Sequence, residues 1–142
     1  MRALVHVLLV AASLTLLTAC GVRFGAAERG TEFFKAIEIT GEMRAGSTLT
    51  VLVDYDQYYP VEVEFVCELR KNKQLIKFIG RDTVAALPGG NPEATPFPGS
   101  IAFDFVVDEP GRYRVECLTP KDDDNFIAEF ITVKAPDAQA GN

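Results

Sequence analysis

Val61-Glu62-Val63-Glu64-Phe65-Val66-Cys67-Glu68-Leu69 puts Val61, Val63, Phe65, Cys67 and Leu69 on one parity and Glu62, Glu64 and Glu68 on the other. A period of two is the signature of a strand with one buried and one solvated face. The same alternation recurs outward from this stretch. Upstream, Leu49, Val51, Val53 and Tyr55 alternate with Thr48, Thr50 and Asp54, and Phe33, Ile37 and Ile39 fit a first strand whose apolar face Lys35 interrupts. Downstream, Lys71-Asn72 turns the chain into Gln74 to Ile79, and Thr83 to Leu87 continues or restarts a strand. Ile101, Phe103, Phe105 and Val107 follow, then Tyr113, Val115 and Cys117, then a last strand from Phe126 to Val133. The apolar pattern of that last strand changes phase at Phe130-Ile131, which predicts a bulge. No segment after residue 20 has sustained helical spacing. Seven or eight short strands joined by turns predict an all-β fold, a single antiparallel two-sheet sandwich over residues 32–134. No internal repeat is visible, and Ala135 to Asn142 reads as a disordered tail.

The N-terminus has a different character. Met1-Arg2 is followed by Ala3 to Ala19 without a charged residue, the layout of a secretory signal. The run is marginal for a bilayer span, which needs roughly 20 residues. It closes on Leu17-Thr18-Ala19-Cys20-Gly21, which resembles the lipobox of bacterial lipoproteins. The resemblance implies cleavage of a signal peptide over residues 1–19, diacylation of Cys20 (a palmitate-type anchor) and a tether over residues 20–31. Two or three acyl chains on one residue anchor stably where one would be marginal. Gly21 in place of Asp is similar to the enterobacterial sorting pattern for the outer membrane. The expected location is therefore the cell membrane or outer membrane, with the domain outside the cytoplasm.

Composition narrows the function. The chain carries 14 basic and 20 acidic residues, a net charge of −6 that becomes more negative once Arg2 is removed. An acidic domain argues against nucleic acid as a partner. The only histidine, His6, lies inside the expected signal peptide. Without histidine there is no imidazole acid–base catalysis, no Ser-His-Asp or Cys-His pair, and no His-ligated zinc or copper. The domain is expected to be no enzyme and to need no cofactor or metal.

Cys67 and Cys117 share parity with core residues, so both thiols point inward, as a disulfide or as reduced core cysteines. Asp108-Glu109-Pro110-Gly111-Arg112-Tyr113 resembles the corner before strand F of immunoglobulin-like and fibronectin type III-like domains. There a glycine permits the turn, and a tyrosine two residues on caps it with its hydroxyl. Here the cysteine follows the tyrosine by four residues instead of two, and the chain has no tryptophan. In an immunoglobulin-like order Cys67 and Cys117 fall on strands C and F, which are neighbours, and a bond between them is worth about 4 kcal/mol. Pro110 to Tyr113, Cys117 and the closing Ile131-Thr132-Val133 also look like a cupredoxin. That alternative implies the fold without its copper, because no histidine follows Cys117 and Met43 is the only methionine after Met1.

Three connections carry functional residue types: residues 54–60, with Asp54, Asp56, Tyr58 and Tyr59; residues 88–99, rich in Pro and Gly; and residues 119–125, with Asp122, Asp123 and Asp124. In a fibronectin type III-like order, with residues 73–87 beside strand C, all three gather at one pole. The domain's N-terminus, and so the lipid, is expected at the same pole. The leading expectation is a membrane-anchored module that binds or organises another cell-envelope protein. The alternative is a small ligand, calcium or a glycan held by the three loops.

Overall fold

The computed structural model describes residues 28–29, 33–90 and 96–138, with residues 28–29 and 122–124 described by their backbone alone. The expected lipobox and Cys20 lie outside the described residues, as do residues 91–95 and 139–142. The strands are β1 (Glu28–Arg29), β2 (Phe34–Gly41), β3 (Thr48–Gln57), β4 (Val63–Lys71), β5 (Gln74–Val84), β6 (Phe97–Val106), β7 (Gly111–Thr119) and β8 (Asp122–Val133). They form two antiparallel sheets, one in the order β1-β8-β7-β4-β5 and the other β2-β3-β6. Apart from β1, this is the immunoglobulin-like arrangement, with strands A, B and E facing strands C′, C, F and G.

Alternation predicts most of the core, but Val61, expected on the core face, precedes β4 and is 60% exposed. Leu49, Val51, Val53, Phe65, Cys67, Leu69, Val115, Cys117 and Ile127 are fully buried between the sheets. Near one end an aromatic cluster thickens it. Phe33 stacks on Tyr55 with ring centres 5.3 Å apart, and Phe34 meets Phe65 edge-on at 5.8 Å. Lys35 breaks the apolar pattern because the β2–β3 register shifts there, between Phe34 and Ala36. The bulge lets both Phe33 and Phe34 reach the interior.

Cys67 and Cys117 face each other across β4 and β7 and are bonded, with Cα atoms 4.0 Å apart. The Cys117 sulfur is therefore no thiolate for copper. The tyrosine corner is present: the Tyr113 hydroxyl donates to the Glu109 carbonyl at 2.9 Å. Gly111 opens that corner at φ +148°, a conformation side chains with a Cβ rarely adopt.

Several boundaries and contacts differ from the expectation. β5 is one strand ending at Val84, so residues 85–87 belong to the connection that follows. β6 starts at Phe97, inside the expected 88–99 loop. β8 starts at Asp122, so the expected 119–125 loop reduces to a turn at Pro120-Lys121. Its acidic run pairs through backbone groups, which do not depend on side-chain type: Thr119 pairs with Asp122, and Leu118 with Phe126. β1 lies within the expected tether, as an added edge strand opposite Ala128 and Ile127. Asp137, in the expected tail, forms an ion pair with Arg44. That carboxylate accepts a hydrogen bond from the guanidinium and raises its pKa above the ordinary arginine value.

The predicted bulge at Phe130-Ile131 is absent, since β7 and β8 pair without a break from Gly111–Val133 to Leu118–Phe126. The phase changes for another reason. Phe126 and Phe130 lie on the outer face, where Arg114 covers the former at 5.7 Å and Arg112 the latter at 4.7 Å. Buried Glu129 takes the inward phase between Ile127 and Ile131. Guanidinium planes shield the outer aromatic rings, so an apolar residue there does not signal the core.

Candidate functional site

The register brings several strand ends to one pole. Gln57 at the end of β3 pairs with Phe97 at the start of β6, Val63 of β4 with Val84 of β5, and Thr119 of β7 with Asp122 of β8. Residues 58–62, 85–90 and 120–121 therefore gather there, as the strand order requires.

Gln57 holds this pole together. It continues the inward parity of Val51, Val53 and Tyr55 and is 3% exposed. Its Nε2 donates to the Ala85 carbonyl at 3.0 Å and the Val61 carbonyl at 3.4 Å, and its Oε1 accepts from the Tyr59 amide at 3.1 Å. One carboxamide thus ties β3 to both long connections. A second link follows, with the Leu87 amide donating to the Tyr59 carbonyl at 3.1 Å. Contact at Gly90 is so close that a Cβ there would sit 2.7 Å from the Tyr59 carbonyl carbon. Sequence reasoning assigned Gln57 no role; its signal was a polar residue at an inward position where a strand ends.

The predicted site residues divide. Asp54 and Asp56 belong to β3 and not to a loop, on the parity opposite its core residues. Asp54 accepts a hydrogen bond from the Ser100 hydroxyl. Asp56 is buried and forms an ion pair with Lys35 at 2.9 Å. Both carboxylates are thus engaged within the fold. Tyr58 and Tyr59 are half-buried at the pole. Asp122, Asp123 and Asp124 lie on the β8 backbone, the latter two in a register shift beside Thr119. Among the described residues no group of three or more His, Cys, Asp or Glu side chains is placed to hold a metal ion.

Two exposed apolar side chains complete the surface. Val61 is 60% exposed and Phe97 is 65% exposed, and each adjoins Gln57, Val61 through its carbonyl and Phe97 through strand pairing. Phe97 was hidden in a Pro/Gly-rich stretch that reads as loop. Such a surface, apolar and half-aromatic on a hydrogen-bonded frame, is equipped for contact.

Phe34 pairs with Tyr55, so the sandwich does begin at the loop pole. However, β1 runs antiparallel to β8, with Glu28 opposite Ala128 and Arg29 opposite Ile127. β1 therefore runs toward the loop pole. Pairing along the free edge of β8 decides this direction, and strand alternation does not encode it.

No protein-family model matches the chain, and no curated protein matches it. Among solved structures it is similar to the CARDB domain of the PF1109 protein from Pyrococcus furiosus, crystallised in complex with di-metal ions. The identity is 16% and the TM-score 0.47, over 75% of this chain and 98% of that one. The similarity is one of β-sandwich layout.

Proposed function

We propose that this chain is a lipid-anchored, non-catalytic module of the bacterial envelope whose loop pole binds another envelope protein. The observation that carries the reading is the pair of exposed apolar side chains, Val61 and Phe97, held on either side of buried Gln57. Exposed apolar side chains on an ordered frame lose little entropy on association, which favours protein contact. The anchor half of the reading rests on Leu17-Thr18-Ala19-Cys20. A calcium or glycan site has less support, because Asp54 and Asp56 already bond to Ser100 and Lys35.

Two measurements test the halves separately. Labelled fatty acid should enter the protein in cells and be lost in Cys20→Ala, with release from membranes; unchanged membrane attachment of the variant overturns the anchor. A photo-crosslinking residue at position 97 should give a discrete adduct with an envelope protein, absent when the crosslinker is placed at Thr40 on the outer sheet face. Equal or no adducts at both positions overturn the contact.

A further inference from the structure

In an acidic protein, one segment has the opposite charge. Residues 70–81, Arg-Lys-Asn-Lys-Gln-Leu-Ile-Lys-Phe-Ile-Gly-Arg, hold five cations and no carboxylate. The segment is the β4–β5 hairpin, turned at Asn72 and Lys73, both at positive φ. β5 is the outer strand of the five-stranded sheet, and on it Leu75, Ile76 and Phe78 are 43%, 49% and 63% exposed. Together with Val61 and Phe97 these are the large apolar side chains most exposed among the described residues. Arg70 is occupied by Glu68 and Glu116, and Arg81 by Glu64, whereas Lys73 stands exposed at the tip.

Two register shifts in the β4–β5 ladder, at Cys67/Glu68 and Leu69/Arg70, distort this edge. Bulges and lysines blunt an edge against adding another strand. They do not hinder contact with a surface that needs no backbone pairing. Exposed Leu, Ile and Phe beside Lys and Arg suit the interface of an anionic bilayer, where apolar side chains enter the headgroup boundary and cations meet lipid phosphates.

Position agrees with charge. The hairpin turn is at the end of the sheet where Gly111 pairs with Val133 and where Lys71 lies over the Tyr113 ring at 5.0 Å. β1, on the other edge of the same sheet, runs from this side toward the loop pole. Cys20 and Glu28 are eight positions apart in sequence, a reach of at most about 28 Å. Asp108 and Glu109 are exposed near this end, and Glu42 and Asp137 pair with Arg44, so the cationic surface is the β5 flank and not the whole end.

We infer that the β4–β5 hairpin is a membrane-contact surface, seating Leu75, Ile76 and Phe78 on an anionic bilayer and turning the loop pole outward. This rests on the lipid-anchor reading above, and the occupant is phospholipid, not a protein strand.

The chain has no tryptophan, so Phe78→Trp and Phe97→Trp each introduce a single reporter. Each acylated full-length variant is reconstituted in phosphatidylcholine vesicles with and without phosphatidylglycerol, using brominated lipid as quencher. Phe78→Trp should be blue-shifted and quenched in the anionic vesicles, and Phe97→Trp unquenched in both. Adding Lys73→Glu and Lys77→Glu should return Phe78→Trp to its level in phosphatidylcholine alone. Intact acyl labelling with an unquenched Phe78→Trp overturns this inference alone, as does quenching at position 97 in its place. A crosslink from position 78 to an acidic protein without lipid quenching also overturns it. Absent acyl labelling overturns the anchor and this inference together.

Discussion

Cys67 on β4 and Cys117 on β7 are direct cross-strand partners, bonded to each other and 0% exposed. The bond joins two adjacent interior strands of the five-stranded sheet across a sequence separation of 50. A link of that span restricts the unfolded chain far more than it restricts strands that already pair.

Replacing both cysteines by alanine is therefore expected to lower stability by about 2–4 kcal/mol with strand content retained. Urea denaturation followed by circular dichroism measures this. Because the sulfurs are buried, reduction by dithiothreitol without denaturant should proceed no faster than global unfolding, read as thiol labelling against time. Rapid labelling of the folded protein contradicts the burial.

Tyr113→Phe removes only the hydroxyl that caps the corner at Glu109. The expected loss is about 1 kcal/mol, the ordinary net worth of one hydrogen bond, with an unchanged denaturant slope.

Gln57→Leu keeps the side-chain size but leaves the Tyr59 amide and the Ala85 and Val61 carbonyls without their partner. A cost of about 1–3 kcal/mol is expected. Local loosening should accompany it, with faster hydrogen exchange at the Tyr59 and Leu87 amides and unchanged exchange at Cys67. Uniformly faster exchange would assign Gln57 to global stability alone.

Phe97→Ser changes a side chain that is 65% exposed, so stability should stay within about 0.5 kcal/mol of the parent. Crosslinking to the proposed envelope partner from a probe at Val61 should nevertheless fall.

Arg112→Ala and Arg114→Ala expose Phe130 and Phe126 on the outer sheet face. A cation over an aromatic ring is worth about 0.5–1 kcal/mol at exposed sites. The double variant should lose about 1–2 kcal/mol on that scale, and increased binding of a hydrophobic dye would report the uncovered rings.

The strands and their inner faces were legible because period two is a local property. Val63 to Leu69 and Arg112 to Cys117 display it without help from the rest of the chain, and the parity of Cys67 and Cys117 already pointed both thiols inward. The tyrosine corner was legible for the same reason, since Gly111, Tyr113 and Glu109 lie within five residues. The β8 boundary was not, because an Asp-rich run has turn chemistry of its own and only pairing with β7 draws Asp122 into the sheet. Phe130 misled because its cover comes from arginines on a neighbouring strand.

By itself, then, the sequence determined the all-β sandwich, its core faces, the inward cysteines and the corner, each written in neighbouring or alternating residues. The tertiary structure decided what depends on distant pairing. It bonded Cys67 to Cys117, made Gln57 the link between two connections, and laid β1 along β8. It also left Val61 and Phe97 exposed at one end and the basic hairpin at the other. These depend on strand register, which brings together residues that alternation alone leaves unrelated.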